Sequence, residues 1–86
     1  MFTKFKAGSA RFSISATGKL VAVAGDFSNW QPIRMKKSGA SYSVEVKLPK
    51  GSHQYKFIVD GRWMEDPDNN VRVSDPFGGM NSVAQL

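Results

Sequence analysis

Cysteine is absent from the 86-residue chain, and histidine occurs once, as His53. These absences exclude disulfides, thiolate metal sites and histidine metal clusters, so we predict neither a metal ion nor another cofactor. The longest wholly apolar run is residues 20–24 (LVAVA), far short of the roughly 20 residues that span a bilayer. No apolar segment follows Lys4 and Lys6 as it would in a signal peptide. We therefore expect no membrane segment, and the cytoplasm is the simplest location.

No window of the sequence shows a sustained helical period. Apolar and polar residues alternate instead, which is typical of half-buried strands, most clearly in residues 41–48 (SYSVEVKL). Six to eight such short strands, separated by turn residues, predict an all-β sandwich or barrel. We assign residues 1–9 to an N-terminal lead-in and residues 10–86 to a single domain. The strands at residues 10–16 and 20–24 are expected to form a hairpin.

The net charge is +5, from 12 basic and 7 acidic residues. A basic balance raises nucleic acid as a partner. The basic residues are scattered, however, and only Lys36 and Lys37 are adjacent. This pattern indicates an ordinary solvated surface more than a binding site for a polyanion.

Residues 25–30 (GDFSNW) combine loop-forming residues with two large aromatic side chains. A loop that ends in tryptophan either covers the core or offers a flat ring to a ligand. The sequence of the loop alone leaves both interpretations open for Trp30, and we expect Phe27 to point into the core.

Asp60 and Gly61 form the strongest hairpin signal in the chain, because a two-residue type I′ turn needs positive φ at both positions. With these residues at the centre of the turn, Trp63 shares one face with Lys56 and Ile58, opposite the core face. Trp63 is then either an exposed platform beside Lys56 or the cover of a second small core with Ile58.

The acidic residues give no sign of catalysis. Glycosidases need two carboxylates across the scissile bond, whereas Asp60, Glu65, Asp66 and Asp68 cluster around turns and are interpreted as turn formers. The sequence contains no nucleophile elbow, phosphate loop or metal cluster. We therefore expect that the protein is not an enzyme.

Three segments together resemble the family 48 carbohydrate-binding modules, which include the glycogen-binding domain of the AMP-activated protein kinase β subunit. Residues 25–30 resemble the family's G-x-F-N-x-W-type loop, and residues 53–63 (HQYKFIVDGRW) are similar to its Q-Y-K-F-x-V-D-G-x-W strand and turn. Residues 76–83 (PFGGMNSV) look most like small stand-alone bacterial early-set proteins. The resemblance covers residues 10–86.

The resemblance implies an immunoglobulin-like (early-set) antiparallel β-sandwich of about seven strands that binds α-1,4-glucans without catalysis. It implies five sugar-binding residues: Trp30, Lys56, Trp63, Phe77 and Asn81. The two tryptophans would stack on sugar rings, while the lysine and asparagine would hydrogen-bond hydroxyl groups. Gly79 stands where the family has a threonine, and Phe77 is aromatic where the family has an apolar residue.

The implied partner is an α-glucan polysaccharide or oligosaccharide, with a glycogen-metabolising enzyme or another protein as a second kind of partner. Two alternatives stay open at this point. One is an interaction module that kept the sandwich but lost sugar binding. The other is a small basic β-domain that binds single-stranded nucleic acid, which the scattered basic residues disfavour.

Overall fold

The computed structural model describes residues 1–6 and 8–86, including all of their side chains except those of Phe5 and Lys6. Its strands form two antiparallel sheets that pack into a β-sandwich. The first sheet consists of β1 (Phe2–Lys6), β2 (Ser9–Ser15), β5 (Lys36–Ser38) and β6 (Ser41–Lys47), in the spatial order β1-β2-β6-β5.

The second sheet contains the other six strands. They are β3 (Val21–Gly25), β4 (Ile33–Arg34), β7 (Ser52–Val59), β8 (Arg62–Met64), β9 (Arg72–Ser74) and β10 (Met80–Gln85). Their order is β4-β3-β7-β10-β9, and β8 pairs separately with β7. The predicted all-β sandwich is confirmed. The described residues hold more strands than the expected seven because four of them, β4, β5, β8 and β9, are only two or three residues long.

The core lies between the sheets and is rich in aromatic rings. Phe12 of β2 meets Tyr55 of β7 edge to face with ring centroids 4.8 Å apart, and Phe57 packs against Tyr55 at 5.7 Å. All three side chains are fully buried. Burying each ring contributes about 1.5–3 kcal/mol of hydrophobic free energy. Phe27 stacks on Phe12 at 5.5 Å, as the sequence predicted.

The predicted hairpin of residues 10–16 and 20–24 is wrong. Its two strands, β2 and β3, lie in different sheets, where β2 pairs with β1 and β6, and β3 pairs with β4 and β7. Apolar residues of both strands, among them Phe12 and Val23, belong to one core cluster, so the two strands cover the core from different sheets. The segment that connects β2 to β3 is held by residues of other elements. The Tyr42 hydroxyl donates to Gly18 O, and Asp60 Oδ1 accepts from the amides of Lys19 and Leu20.

The lead-in predicted at residues 1–9 contains β1, whose Phe2 lies opposite Phe12 of β2. That residues 10–86 form a single domain stays a prediction. Within the described part of the chain, no helix is long and apolar enough to cross a membrane.

Candidate functional site

A groove of about 430 Å³ lies on the outer face of the second sheet, away from the core. It is lined by Trp30, Gln54, Lys56, Trp63, Asp75, Pro76, Phe77 and Asn81. All five residues expected to bind a ligand therefore line one groove, although they come from separate parts of the chain. The groove also includes Gln54, Asp75 and Pro76, which the sequence analysis did not identify.

Alternation along β7 separates the groove from the core. Tyr55 and Phe57 point inward, whereas Gln54, Lys56 and Ile58 occupy the outer face. On the neighbouring strand β10, Val83 lies opposite Gln54. Because residues two apart share a face, Asn81 joins Gln54 on the outer face, and its Nδ2 donates to Gln54 Oε1 at 2.9 Å.

Trp63 reaches the groove through the turn that the sequence predicted. Asp60 and Gly61 both have positive φ, 50° and 84°, and the register places Ile58 opposite Trp63. The Trp63 side chain is 47% exposed, whereas Ile58 on the same face is 8% exposed. This geometry agrees with the interpretation of Trp63 as an exposed platform. The alternative interpretation, a second small core on this face, is met only in that Ile58 is buried there.

Trp30 ends a loop that opens with a single 3₁₀ turn, Asp26–Ser28. Its φ is +60° and that of Asn29 is +56°, so both lie in the left-handed region. This conformation costs a side-chain-bearing residue roughly 1–2 kcal/mol. Such strain is common at ligand sites, and it requires compensating contacts.

Those contacts come from Ser28 and from the main chain. The Ser28 hydroxyl accepts from Gly25 N at 3.2 Å and lies 2.9 Å from Gln31 O, to which it donates, while Trp30 N donates to Gly25 O at 2.9 Å. The carboxylate of Asp26 accepts from Gln54 N at 2.9 Å and so attaches the loop to β7. The Trp30 ring is thereby presented from a fixed backbone.

Phe77 stands at the opposite side of the groove on a loop organised by Asp75. The Asp75 Oδ1 atom accepts from Phe77 N at 2.8 Å and from Gly79 N at 2.9 Å, and Lys56 Nζ donates to Oδ2 at 2.7 Å. Phe77 itself is 94% exposed. The hydrogen bond from Lys56, followed by those from the two amides, lowers the pKa of Asp75 from 3.8 to about 2.

The groove is electrically neutral despite the net charge of +5. Its charged lining residues are Lys56 and Asp75, and they form an ion pair with each other. The excess positive charge of the protein therefore lies elsewhere on the described surface.

The residues that the sequence analysis missed left weak signals. Asp75 precedes proline and a Gly-Gly pair, a composition typical of a turn in which an aspartate accepts main-chain hydrogen bonds. Gln54 shares a face of its strand with Lys56 by alternation, but only the pairing with β10 brings it beside Asn81. No local pattern in the sequence indicates that β7 pairs with β10.

Comparison with known families gives a match to residues 9–86 for the model described as the glycogen recognition site of AMP-activated protein kinase. The chain is 37% identical over 75 residues to 5'-AMP-activated protein kinase subunit beta-1 of Sus scrofa, covering 87% of this chain and 61% of that one. It is 41% identical over 73 residues to subunit beta-2 of Mus musculus, covering 84% of this chain and 27% of that one. The chain thus spans less than two thirds of the length of these relatives.

Two solved structures share the fold. A putative alpha amylase from Salmonella typhimurium superposes with a TM-score of 0.82 at 20% identity, over 99% of this chain and 14% of the amylase. A maltogenic amylase from S. marinus gives a TM-score of 0.78 at 20% identity, over 91% of this chain and 13% of that enzyme.

Proposed function

The chain belongs to the family of glycogen recognition domains of AMP-activated protein kinase, and on that premise we propose that it is a non-catalytic module that binds α-1,4-glucans in the groove of the second sheet. Trp30, Lys56, Trp63, Phe77 and Asn81 are proposed as its binding residues. The observation that carries the proposal is the neutral groove walled by these aromatic rings.

Aromatic walls suit the apolar faces of sugar rings. A pyranose carries C–H groups on its faces, and a flat indole covers them with large apolar contact area. Trp30 ends the loop after β3, Trp63 lies on β8, and both line the same groove as Phe77. Rings placed in this way would contact successive sugars along a chain.

The floor of the groove supplies the polar groups that fix orientation. The bond from Asn81 to Gln54 uses one amide hydrogen and one amide oxygen. The Gln54 Nε2 group and the Asn81 Oδ1 atom remain as a donor and an acceptor, with no other hydrogen bond among the described residues. A donor next to an acceptor matches neighbouring hydroxyl groups, each of which both donates and accepts.

Neutrality of the groove favours a glucan over single-stranded nucleic acid. Nucleic-acid binding surfaces combine stacking aromatics with positive charge along the phosphate backbone, whereas the ammonium of Lys56 is already paired with Asp75. A neutral polyhydroxyl ligand needs no such charge.

The carboxylate content of the groove supports a non-catalytic role. Glycoside hydrolysis uses a pair of carboxylates, and the described lining residues contribute only the carboxylate of Asp75, which is held by Lys56.

We propose a cytoplasmic glucan as the partner. A glycogen-metabolising enzyme or another protein is the proposed second partner.

Affinity electrophoresis in gels containing glycogen tests the proposal. Trp30→Ala and Trp63→Ala should each weaken retention about tenfold or more, because truncating a tryptophan at the centre of a binding site typically costs at least about 1–2 kcal/mol. Leu20→Ala is the control, since Leu20 is 55% exposed and lies outside the groove.

Circular dichroism of each variant establishes that the sandwich is intact. Retention of both tryptophan variants equal to the parent would refute the proposed site. An unretained parent that binds single-stranded DNA, with an affinity that falls steeply with salt, would favour the nucleic-acid alternative. A folded parent that binds neither ligand would favour the interaction module.

A further inference from the structure

We infer that Asp75 is a positioning residue of the groove, and that Lys56 acts on a bound glucan through this carboxylate by fixing the loop of residues 75–79. The inference rests on the proposed function. It differs from the role that the family resemblance implies for Lys56, which is a direct hydrogen bond to the sugar.

The carboxylate of Asp75 joins the loop to the sheet. Lys56, on β7, donates to Oδ2, and the loop amides of Phe77 and Gly79 donate to Oδ1. Asp75 N also donates to Gly79 O at 3.0 Å, which closes the base of the loop. The Asp75 side chain is 6% exposed and that of Lys56 is 20% exposed. The bond between Lys56 and Asp75 is partly buried, whereas the bonds from the two loop amides lie at the surface.

Gly79 leaves room for the carboxylate of Asp75 in its bonded position. A Cβ atom at this position would lie 2.9 Å from Asp75 Oδ2, closer than a side chain can approach. Its φ lies outside the positive range, so a side chain here is opposed by the position of the carboxylate and not by the backbone conformation. The threonine expected from the family at this position would displace the carboxylate from Lys56. Glycine at 79 and aspartate at 75 thus form one unit.

The ring of Phe77 depends on this unit because little else holds it. With 94% of the residue exposed, its position follows from the backbone of the loop. A loop that is ordered before binding saves the entropy of ordering it in the complex. Lys56 therefore contributes to affinity by fixing the carboxylate that orders the loop.

A double-mutant cycle in affinity electrophoresis with glycogen separates the two roles of Lys56. Asp75→Ala removes the loop bonds and should weaken retention about tenfold, whereas Asp75→Asn retains an oxygen for the two amides and should weaken it only about threefold. Lys56→Met should weaken retention in the parent but have little further effect in Asp75→Ala. Asp68→Asn makes the same change of charge at an exposed carboxylate outside the groove, and should bind like the parent.

Equal losses from Lys56→Met in the parent and in Asp75→Ala would overturn the inference, because Lys56 would then act on the sugar directly. Parent-like binding by Asp75→Ala would overturn it as well. Asp75→Asn keeps the turn and serves as the second test if Asp75→Ala is unfolded. In the Asp75→Asn protein, Lys56→Met must then cause much less loss of retention than it causes in the parent.

Amide hydrogen exchange without ligand distinguishes failure of this inference from failure of the proposed function. The amides of Phe77 and Gly79 should exchange about tenfold faster in Asp75→Ala than in the parent. Unchanged exchange would refute the positioning role. A parent that is not retained by glycogen, yet shows protected loop amides that Asp75→Ala exposes, would refute the glucan function while leaving the loop assignment in place.

Discussion

Replacing Tyr55 with phenylalanine should destabilise the sandwich by about 2–3 kcal/mol while leaving glucan binding in place. The Tyr55 hydroxyl donates to Asp66 Oδ2 at 2.7 Å and accepts from Asn69 Nδ2 at 2.9 Å. All three residues are buried, and a hydrogen bond to a charged group contributes about 1.5–3 kcal/mol. A domain of this size has a total stability of roughly 4–13 kcal/mol. A loss of about 2 kcal/mol lowers Tm by roughly 8–16 °C.

The same residue gives the stability a specific pH dependence. Burial, with a smaller contribution from Asp66, raises the pKa of Tyr55 above its ordinary value of 10.0. In the folded protein the phenol therefore stays protonated at pH values where the unfolded chain loses the proton. The contribution of Tyr55 is complete below pH 10 and declines above it, by about 1.4 kcal/mol per pH unit. Tyr55→Phe lacks this decline, so the difference between the two proteins narrows above pH 10.

Urea unfolding at several pH values measures this difference. Two cations lie against the cluster, the α-amino nitrogen of Met1, 2.5 Å from Asp66 Oδ2, and the guanidinium of Arg72, 3.2 Å from Asp66 O. Both are common to the two proteins, so their contributions to stability cancel to first order in the difference. Tyr42→Phe is the matched control, because it removes one bond to a neutral acceptor, Gly18 O at 2.6 Å, worth about 0.5–1.5 kcal/mol. Equal losses in the two variants, or a difference that does not narrow above pH 10, would refute the reasoning.

Two further predictions concern a close contact and a carboxylate. Gly25→Ala should lower the free energy of unfolding by about 2–3 kcal/mol, because its Cβ would lie 2.5 Å from Gln54 O. Gly39→Ala is the control and should cost about 1 kcal/mol, because no atom lies within 4 Å of its Cβ and only a φ of +63° opposes alanine. Equal losses in the two variants would contradict the steric argument. The pKa of Asp75, lowered from 3.8 to about 2, predicts a stability contribution that is present above pH 3.8 and lost as the pH falls through about 2. A carboxyl titration by NMR with a midpoint near 3.8 would contradict the pairing with Lys56.

Local patterns were sufficient for the hairpin of β7 and β8. The turn preference of Asp60 and Gly61 fixed the register that brings Trp63 to the outer face, opposite the core face that carries Tyr55 and Phe57. These are interactions between residues near in sequence, which a short segment specifies by itself. The family resemblance then supplied the grouping of Trp30 with Trp63.

Arrangement across the sandwich was not accessible in the same way. The assignment of residues 10–16 and 20–24 to one hairpin failed because short connections occur both within a sheet and between sheets. The pairing of Lys56 with Asp75 was missed because it joins a strand to a loop 19 positions later. An aspartate in a turn, such as Asp75, does not indicate which distant residue its side chain will pair with. Long-range contacts of this kind depend on the packed fold.

The alternation along β7 has an evolutionary consequence. Inner residues of the strand, such as Tyr55 and Phe57, stabilise the fold, whereas outer residues, such as Gln54 and Lys56, line the groove. Neighbours in the sequence are therefore under different selective demands, and an outer position can change without opening the core. A lineage that carries this sandwich can exchange or lose its ligand by a few substitutions on one face while the fold persists.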